Sequence, residues 1–156
     1  MNFTFSSDST GVKMKDLKDS SRMSEEFFKM KTDPNQIPAT PENVTWVRKN
    51  IPNCVNVIRK NGKLAGFTFL IPTTKKTMDA FIKKKITEKQ LFEKTKKEFK
   101  KMTNVEAIYL CAAIIAPKHQ KKGLATTGYL KSIATLKNKH VKPTIYFEAW
   151  TLEGRK

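Results

Sequence analysis

Apolar residues run without interruption from Ala107 to Ala116, whereas the segments on either side return them only at intervals. Tyr109, Ile114 and Ile115 favour extended backbone, so the run predicts a strand covered on both faces; a buried helical segment shares the pattern. Pro117 removes a main-chain donor and biases Ala116 towards extended geometry, which ends the strand. From Gly123 onward the period changes. Leu124, Tyr129, Leu130, Ile133, Ala134 and Leu136 recur at helical spacing, with Lys131 and Lys137 left for the outer face. Upstream, residues 55–58 and 64–71 flank Lys60-Asn61-Gly62-Lys63 and predict a β-hairpin whose Asn-Gly supplies the positive φ angles.

The remaining elements follow from the same reading. Residues 74–102 are lysine-rich and helical, with one apolar stripe of Met78, Phe81, Ile82 and Ile86 and another of Leu91, Phe92, Phe99 and Met102. Thr87 and Gln90 fit a capping box, which predicts two helices parted near Thr87. Thr40-Pro41-Glu42 is a helix start with Thr40 as cap, leading through Val44 and Val47 to Asn50. Ser24, Glu25 and Glu26 ahead of Phe27, Phe28 and Met30 suggest a short helix, broken by Asp33-Pro34-Asn35. Residues 1–20 read as a loosely held polar segment, apart from a short strand at residues 3–5. Pro143 introduces a last strand, TIYFEAW, over residues 144–150.

Chemistry enters at the turn between the apolar run and the helix that follows it. A strand leading into a basic loop that opens a helix brings main-chain N–H groups, a helix dipole and lysines to one point. That point is a candidate phosphate seat. Gly123 lies at the first helical turn, where the missing Cβ lets an anionic ligand approach the main chain.

Composition narrows the setting. The 156 residues suffice for one domain with a hydrophobic core. The two cysteines make no disulfide framework; Cys111, inside the apolar run, is most simply a small buried hydrophobe. A reducing, cytoplasmic setting is the default expectation. The apolar run is too short to span a bilayer, and the N-terminus lacks the apolar core of a signal peptide, so no membrane partner is expected. No metal site is expected either. The net charge of +17 raises the question of nucleic acid. Nearly all of it is lysine, with Arg22, Arg48, Arg59 and Arg155 the arginines, whereas recognition of phosphates and bases favours the planar arginine fork. Nucleic acid is therefore not the expected main partner.

At the turn the chain resembles the Gcn5-related N-acetyltransferase family, whose signature is Gln or Arg, two residues, Gly, one residue, then Gly or Ala. Here it reads Gln120-Lys121-Lys122-Gly123-Leu124-Ala125, with a preceding strand and Pro117 where the family usually has them. The resemblance covers residues 55–150. It implies an α/β fold with a central mixed, mostly antiparallel sheet flanked by helices. The chain then reads as a polar N-terminal segment (residues 1–20) ahead of a single N-acetyltransferase-like domain (residues 21–156), whose lysine-rich helical insertion at 74–102 departs from the compact family pattern. The implied activity is transfer of an acetyl group from acetyl-coenzyme A to a primary amine on a small molecule or peptide. Ala113, Ile114 and Ile115 would then pair with the pantetheine arm. The loop from Gln120 through Lys121, Lys122, Gly123 and Leu124 to Ala125 would cradle the pyrophosphate, with Thr126 adding a hydroxyl donor.

In the family the amine attacks the thioester directly, so the protein must align the reactants, accept a proton and stabilise an oxyanion. The strands near residues 105–115 and 144–150 should run side by side and splay apart, leaving a slot for the thioester. Glu106 and Glu148 are the carboxylates nearest that slot and the candidate bases, although counting back from Gln120 brings the family's usual glutamate position nearer Tyr109. A strand-end charge or an ion-pair partner is the ordinary role for either. His119 fits a solvated or phosphate-adjacent role. Trp46 fits core packing, with a place beside the acceptor as the alternative. The insertion is either a solvated basic face or a lid over the acceptor site.

Family members usually continue past the last strand with a helix, often bearing a tyrosine that protonates the leaving thiolate, and then two more strands. No tyrosine follows Tyr146 here, so that role is not carried over. The sequence is then a fragment, a chain completed by a homodimer partner that extends the sheet, or one that keeps cofactor binding without full catalysis. Two other functions stay open: a non-catalytic module binding coenzyme A or a protein partner, and a basic nucleic-acid binder.

Overall fold

The computed structural model describes residues 2–9, 11–28, 37–38, 40–136 and 142–148, with the main chain only at 27 and 28. Among these residues, five strands form one mixed sheet in chain order: β1 (Phe3–Phe5), β2 (Val55–Lys60), β3 (Lys63–Thr73), β4 (Ala107–Ile115) and β5 (Thr144–Tyr146). The first three neighbouring pairs are antiparallel; β4 and β5 are parallel. The predicted α/β class with a mostly antiparallel mixed sheet is therefore present. At the β2–β3 turn Asn61 and Gly62 take φ of 53° and 79°, the left-handed pair a two-residue hairpin requires.

Among the described residues, five α-helices accompany the sheet: α1 (Met14–Phe28), α2 (Pro41–Asn50), α3 (Lys75–Ile82), α4 (Glu88–Glu98) and α5 (Leu124–Ala134). Thr40 caps α2 by accepting from the Asn43 N–H, and Thr87 and Gln90 form the full capping box of α4. Alternation along the strands sorts the helices onto two faces. Asn56 faces α5, its amide donating to the Gly128 carbonyl at 3.1 Å. Val55, Phe67 and Phe69 point the other way, towards Leu17 of α1, Val47 of α2 and Phe92 of α4. Trp46 packs edge-to-face on Phe92 and Phe99, the core role.

Three expectations change. Residues 1–20 are not a loose segment: β1 pairs with β2, and α1 starts at Met14, so the boundary at residue 20 falls inside a helix. Ser24 is correspondingly a buried residue within α1 and not a cap. The helix starts early because Asp16 accepts from the Lys13 N–H at 3.0 Å, and its inner face uses Leu17 with the small Ser20 and Ser24. In α5 the buried residues are Leu124, Gly128 and Ser132, and Leu130 is 62% exposed. Close approach drives this, since a Cβ on Gly128 would lie 2.9 Å from Thr68 Oγ1. The expected break at Asp33-Pro34-Asn35, the stripe of Phe27, Phe28 and Met30, and residues 149–150 of the last strand lie outside what is described.

Candidate functional site

β4 is nine residues long, but β5 matches only its first three, through Ala107 with Thr144, Ile108 with Ile145 and Tyr109 with Tyr146. Beyond Tyr109 that edge of β4 has no strand beside it among the described residues. Main-chain groups alternate between the two edges of a strand. The Ala116 N–H donates to the Ala65 carbonyl at 2.8 Å, so Ala116 and Ile114 face β3, while Ala113 and Ile115 face the uncovered edge. Ile114, expected among the pantetheine contacts, is thereby corrected: its main chain is turned to β3 and its side chain is buried in the core.

A break in register shapes this edge. Phe69 pairs with Ala112 and Leu70 with Leu110, which leaves Cys111 as the extra residue of a bulge. The bulge resets alternation, so Cys111 and Ala112 both border the same cavity. Tyr129 of α5 donates to the Ala112 carbonyl at 2.8 Å and ties the strand just past the bulge.

After β4 the chain makes a short turn over Pro117–His119 and enters the basic loop. Lys121 and Gly123 both take positive φ, 63° and 75°, and Gly123 is the N-cap of α5 without a side-chain cap bond. The first intrahelical bond runs from the Thr127 N–H to the Gly123 carbonyl at 3.0 Å. The N–H groups of Leu124, Ala125 and Thr126 precede it and have no acceptor within the helix. A Cβ at Gly123 would meet nothing within 4 Å, so the glycine answers to the backbone angle, and the space before the helix is open.

Side chains take several roles around this opening. Lys121, Lys122 and Thr126 are exposed; Leu124 packs into the small core of Phe5, Ile58 and Ala65, leaving only its main chain to a ligand. Gln120 folds back, its amide donating to the Ile115 carbonyl at 3.0 Å, and so braces the loop. Lys122 Nζ lies 5.6 Å over the Phe3 ring, and Lys60 lies over the same ring at 5.5 Å. His119 is buried edge-on to Phe3, and Nδ1 has no hydrogen-bond partner among the described residues. Burial, with Lys122, Lys118 and Lys60 nearby, holds its imidazole below the usual histidine value, so it is neutral near pH 7.

On the sheet face opposite α5 lies a half-open pocket of about 110 Å³ lined by residues of α1, α2, α4 and the strands. Val47, Phe67, Phe69 and Phe92 make its lining largely apolar; Glu88 and Cys111 border it. Glu88, the first residue of α4, is 8% exposed. Its Oε1 accepts from the Tyr109 hydroxyl at 2.9 Å and from the Cys111 thiol at 3.2 Å. Burial pushes both donors' pKa values well up, with the Glu88 charge adding to the effect, so each keeps its proton. Cys54, fully enclosed elsewhere, is pushed up to about 12 by burial alone.

The expected carboxylates divide. Glu106 accepts from the Lys75 N–H at 3.1 Å, at the far end of β4 from the basic loop. It lies nine positions before Ile115, roughly 30 Å of strand. Glu106 is therefore a charge at the N-terminus of α3, three residues ahead of Tyr109, after which β4 and β5 no longer pair. Glu148 lies two residues past β5, exposed, and its charge contributes to raising the Tyr109 pKa. Glu88 was missed because its sequence position reads as the acidic first turn of a capped helix. The available signal is its period: Glu88, Leu91, Phe92 and Thr95 share the buried face of α4.

The arrangement offers a main-chain edge for an extended ligand, donors for an anion at the end of that edge, and a buried carboxylate beside the bulge. Among the described residues no helix is long and apolar enough to cross a membrane. No protein-family model matches the chain, and no curated protein matches it.

Proposed function

We propose that the protein is an N-acetyltransferase of the Gcn5-related type, using acetyl-coenzyme A as cosubstrate and a primary amine as acceptor. The observation that carries this reading is continuity: the uncovered edge of β4 leads, through the turn and basic loop of residues 116–123, to the uncapped start of α5. Ala113 and Ile115 present main-chain groups along the edge, and the N–H groups of Leu124, Ala125 and Thr126 follow at its end. Further support is the order of elements, with a β-hairpin ahead of β4 and a parallel β5 that accompanies β4 for only three residues.

The residues fit a coenzyme A tail. Donors of a helix first turn lack intrahelical acceptors, and a diphosphate satisfies several at once with charge-assisted bonds. Lys121 and Thr126, both exposed, add a cation and a hydroxyl. When bound, acetyl-coenzyme A supplies the activated acyl group. The chain's part is to hold an extended ligand against β4, anchor its anionic end at α5, and offer a main-chain donor near the bulge at Cys111 to the acyl oxygen.

Calorimetric titration with acetyl-coenzyme A tests the proposal. Saturable binding is expected, weakened at least tenfold by Gly123→Asp, which sets a negative charge among the donors, on the order of 1–2 kcal/mol. Gly123→Asn, uncharged and tolerant of left-handed φ, should weaken it much less. Absence of binding by the unaltered protein overturns the reading.

A further inference from the structure

Residues 75–101 hold eleven lysines and four carboxylates, and folding separates the two. Glu88 is buried at the start of α4. Glu98 accepts from the Thr74 and Thr77 hydroxyls at 3.0 and 3.3 Å, which also sets the start of α3 beside the end of α4. Glu93 pairs with Lys96 at 3.0 Å, and Lys96 donates to Asn43 of α2 at 2.8 Å. Asp79 alone of the four is exposed without a partner among the described residues, and nearby Glu106 is taken up by the Lys75 N–H. Apart from Lys96, every lysine of the segment is exposed.

These cations follow the whole helical hairpin. Lys83, Lys84, Lys85 and Lys89 surround its turn, and Lys94 lies along α4. Lys75, Lys76, Lys97, Lys100 and Lys101 gather at the other end, where Glu98 joins the two helices. Lys84 takes φ of 59° and closes α3: its N–H donates to the Phe81 carbonyl and that of Lys85 to the Ala80 carbonyl. Glycine is the usual residue at that left-handed position, and a cation stands there instead. Phe81, Phe92 and Phe99 are turned to the core.

We propose that the outer side of this hairpin binds the phosphate backbone of duplex nucleic acid, without regard to sequence. Charge density selects the partner. The 11 residues of α4 span roughly 16 Å. A duplex carries about one charge per 1.7 Å of axis, hence about nine over that length. An extended acidic peptide, at about 3.3 Å per residue, offers about five. Only the duplex approaches the density of the lysines. Stacking on single-stranded bases needs exposed rings, and those of the hairpin face inward. The scarcity of arginine that argues against base recognition leaves phosphate contact untouched, since an ammonium acts there as a point charge. Ile82, 57% exposed at the turn, would suit an anionic bilayer, which the experiment below carries as a contrary outcome. The surface is independent of the coenzyme reading, because Glu106, bonded to Lys75, stands at the opposite end of β4 from the basic loop.

The experiment is fluorescence anisotropy of two labelled duplexes of unrelated sequence, each about two helical turns long, titrated with the full chain over a range of potassium chloride concentrations. Equal affinity for both is expected, with a slope of log affinity against log salt steeper than about −3.6, the value for four phosphates. Lys83→Gln, Lys84→Gln, Lys94→Gln and Lys97→Gln together should weaken binding about tenfold or more and flatten the slope. Lys13→Gln, Lys15→Gln, Lys18→Gln and Lys49→Gln together remove the same charge from other exposed positions and should change affinity by less than about threefold. If the first set fails to fold, Lys94→Gln with Lys97→Gln replaces it, and a loss of about threefold is expected. A slope near zero, a clear preference for one duplex, equal loss in the hairpin and control sets, or binding to phosphatidylserine vesicles with none to duplex overturns the proposal. Acetyl-coenzyme A is absent from these titrations, so their outcome and that of the coenzyme titration are read separately.

Discussion

Arg59 shows how single side chains lock the helical layer to the sheet. Its Nη2 donates to Asp16 Oδ1 and Asp19 Oδ2, both at 2.8 Å, and all three side chains are less than one-fifth exposed. The hydrogen bond from Arg59 holds the Asp19 carboxyl below 3.8, more strongly than burial raises it. Between that folded value and 3.8 the unfolded chain binds more protons, so the contribution is complete above 3.8 and is lost as pH falls through the folded value. Asp19→Asn is expected to cost roughly 1–2 kcal/mol at pH 7. Urea titrations should show the difference from the unaltered protein shrinking in strong acid, and a difference independent of pH would contradict this. Glu88 is the residue-scale counterpart inside the cavity, where the same carboxylate chemistry faces apolar walls. Its inward direction was not legible because a glutamate after Thr87 satisfies the helix-start rules without any reference to β4.

At the scale of elements, close approach decides what is tolerated. A Cβ on Gly66 of β3 would run into the Ile114 carbonyl oxygen and reach 3.0 Å from the Ile115 Cα. Main chain cannot yield, so Gly66→Ala is expected to cost about 3 kcal/mol. Gly128→Ala meets both branches of the buried Thr68 side chain, at 2.9 and 3.0 Å, but no main chain, and helix propensity returns roughly 0.5–1 kcal/mol. Urea midpoints should place Gly66→Ala well below Gly128→Ala, and the reverse order would contradict the packing described. Turn and cap chemistry made several elements readable in advance: Asn61-Gly62, Thr40-Pro41 and Thr87 with Gln90 each act locally. Helix α1 escaped because its buried positions include Ser20 and Ser24, which a hydrophobic count scores as polar although they are small enough to pack. Leu130 misled for the converse reason: its spacing is right for a stripe, but α5 sits on the sheet through Gly128 and Ser132.

For the molecule as a whole, the sheet carries a basic loop and an apolar cavity that sequence spacing could not relate. The loop beginning at Gln120 was legible because strand, Pro117 and Gly123 are contiguous. The cavity was not, since Val47, Phe67, Phe92 and Cys111 come from four separate elements, and only the fold assembles them. The bulge at Cys111 joins the two, since its main chain belongs to the edge and its side chain to the cavity. On the proposed function, the net charge of +17 would draw an anionic coenzyme to the protein at rates that fall with added salt. The most direct test of the account is backbone-amide NMR during titration with coenzyme A. The largest shifts are predicted at Ala113, Ile115 and residues 121–126, in a continuous track from the β4 edge to the start of α5. Saturating coenzyme A with those amides unmoved, or shifts confined to lysines elsewhere on the surface, would contradict it.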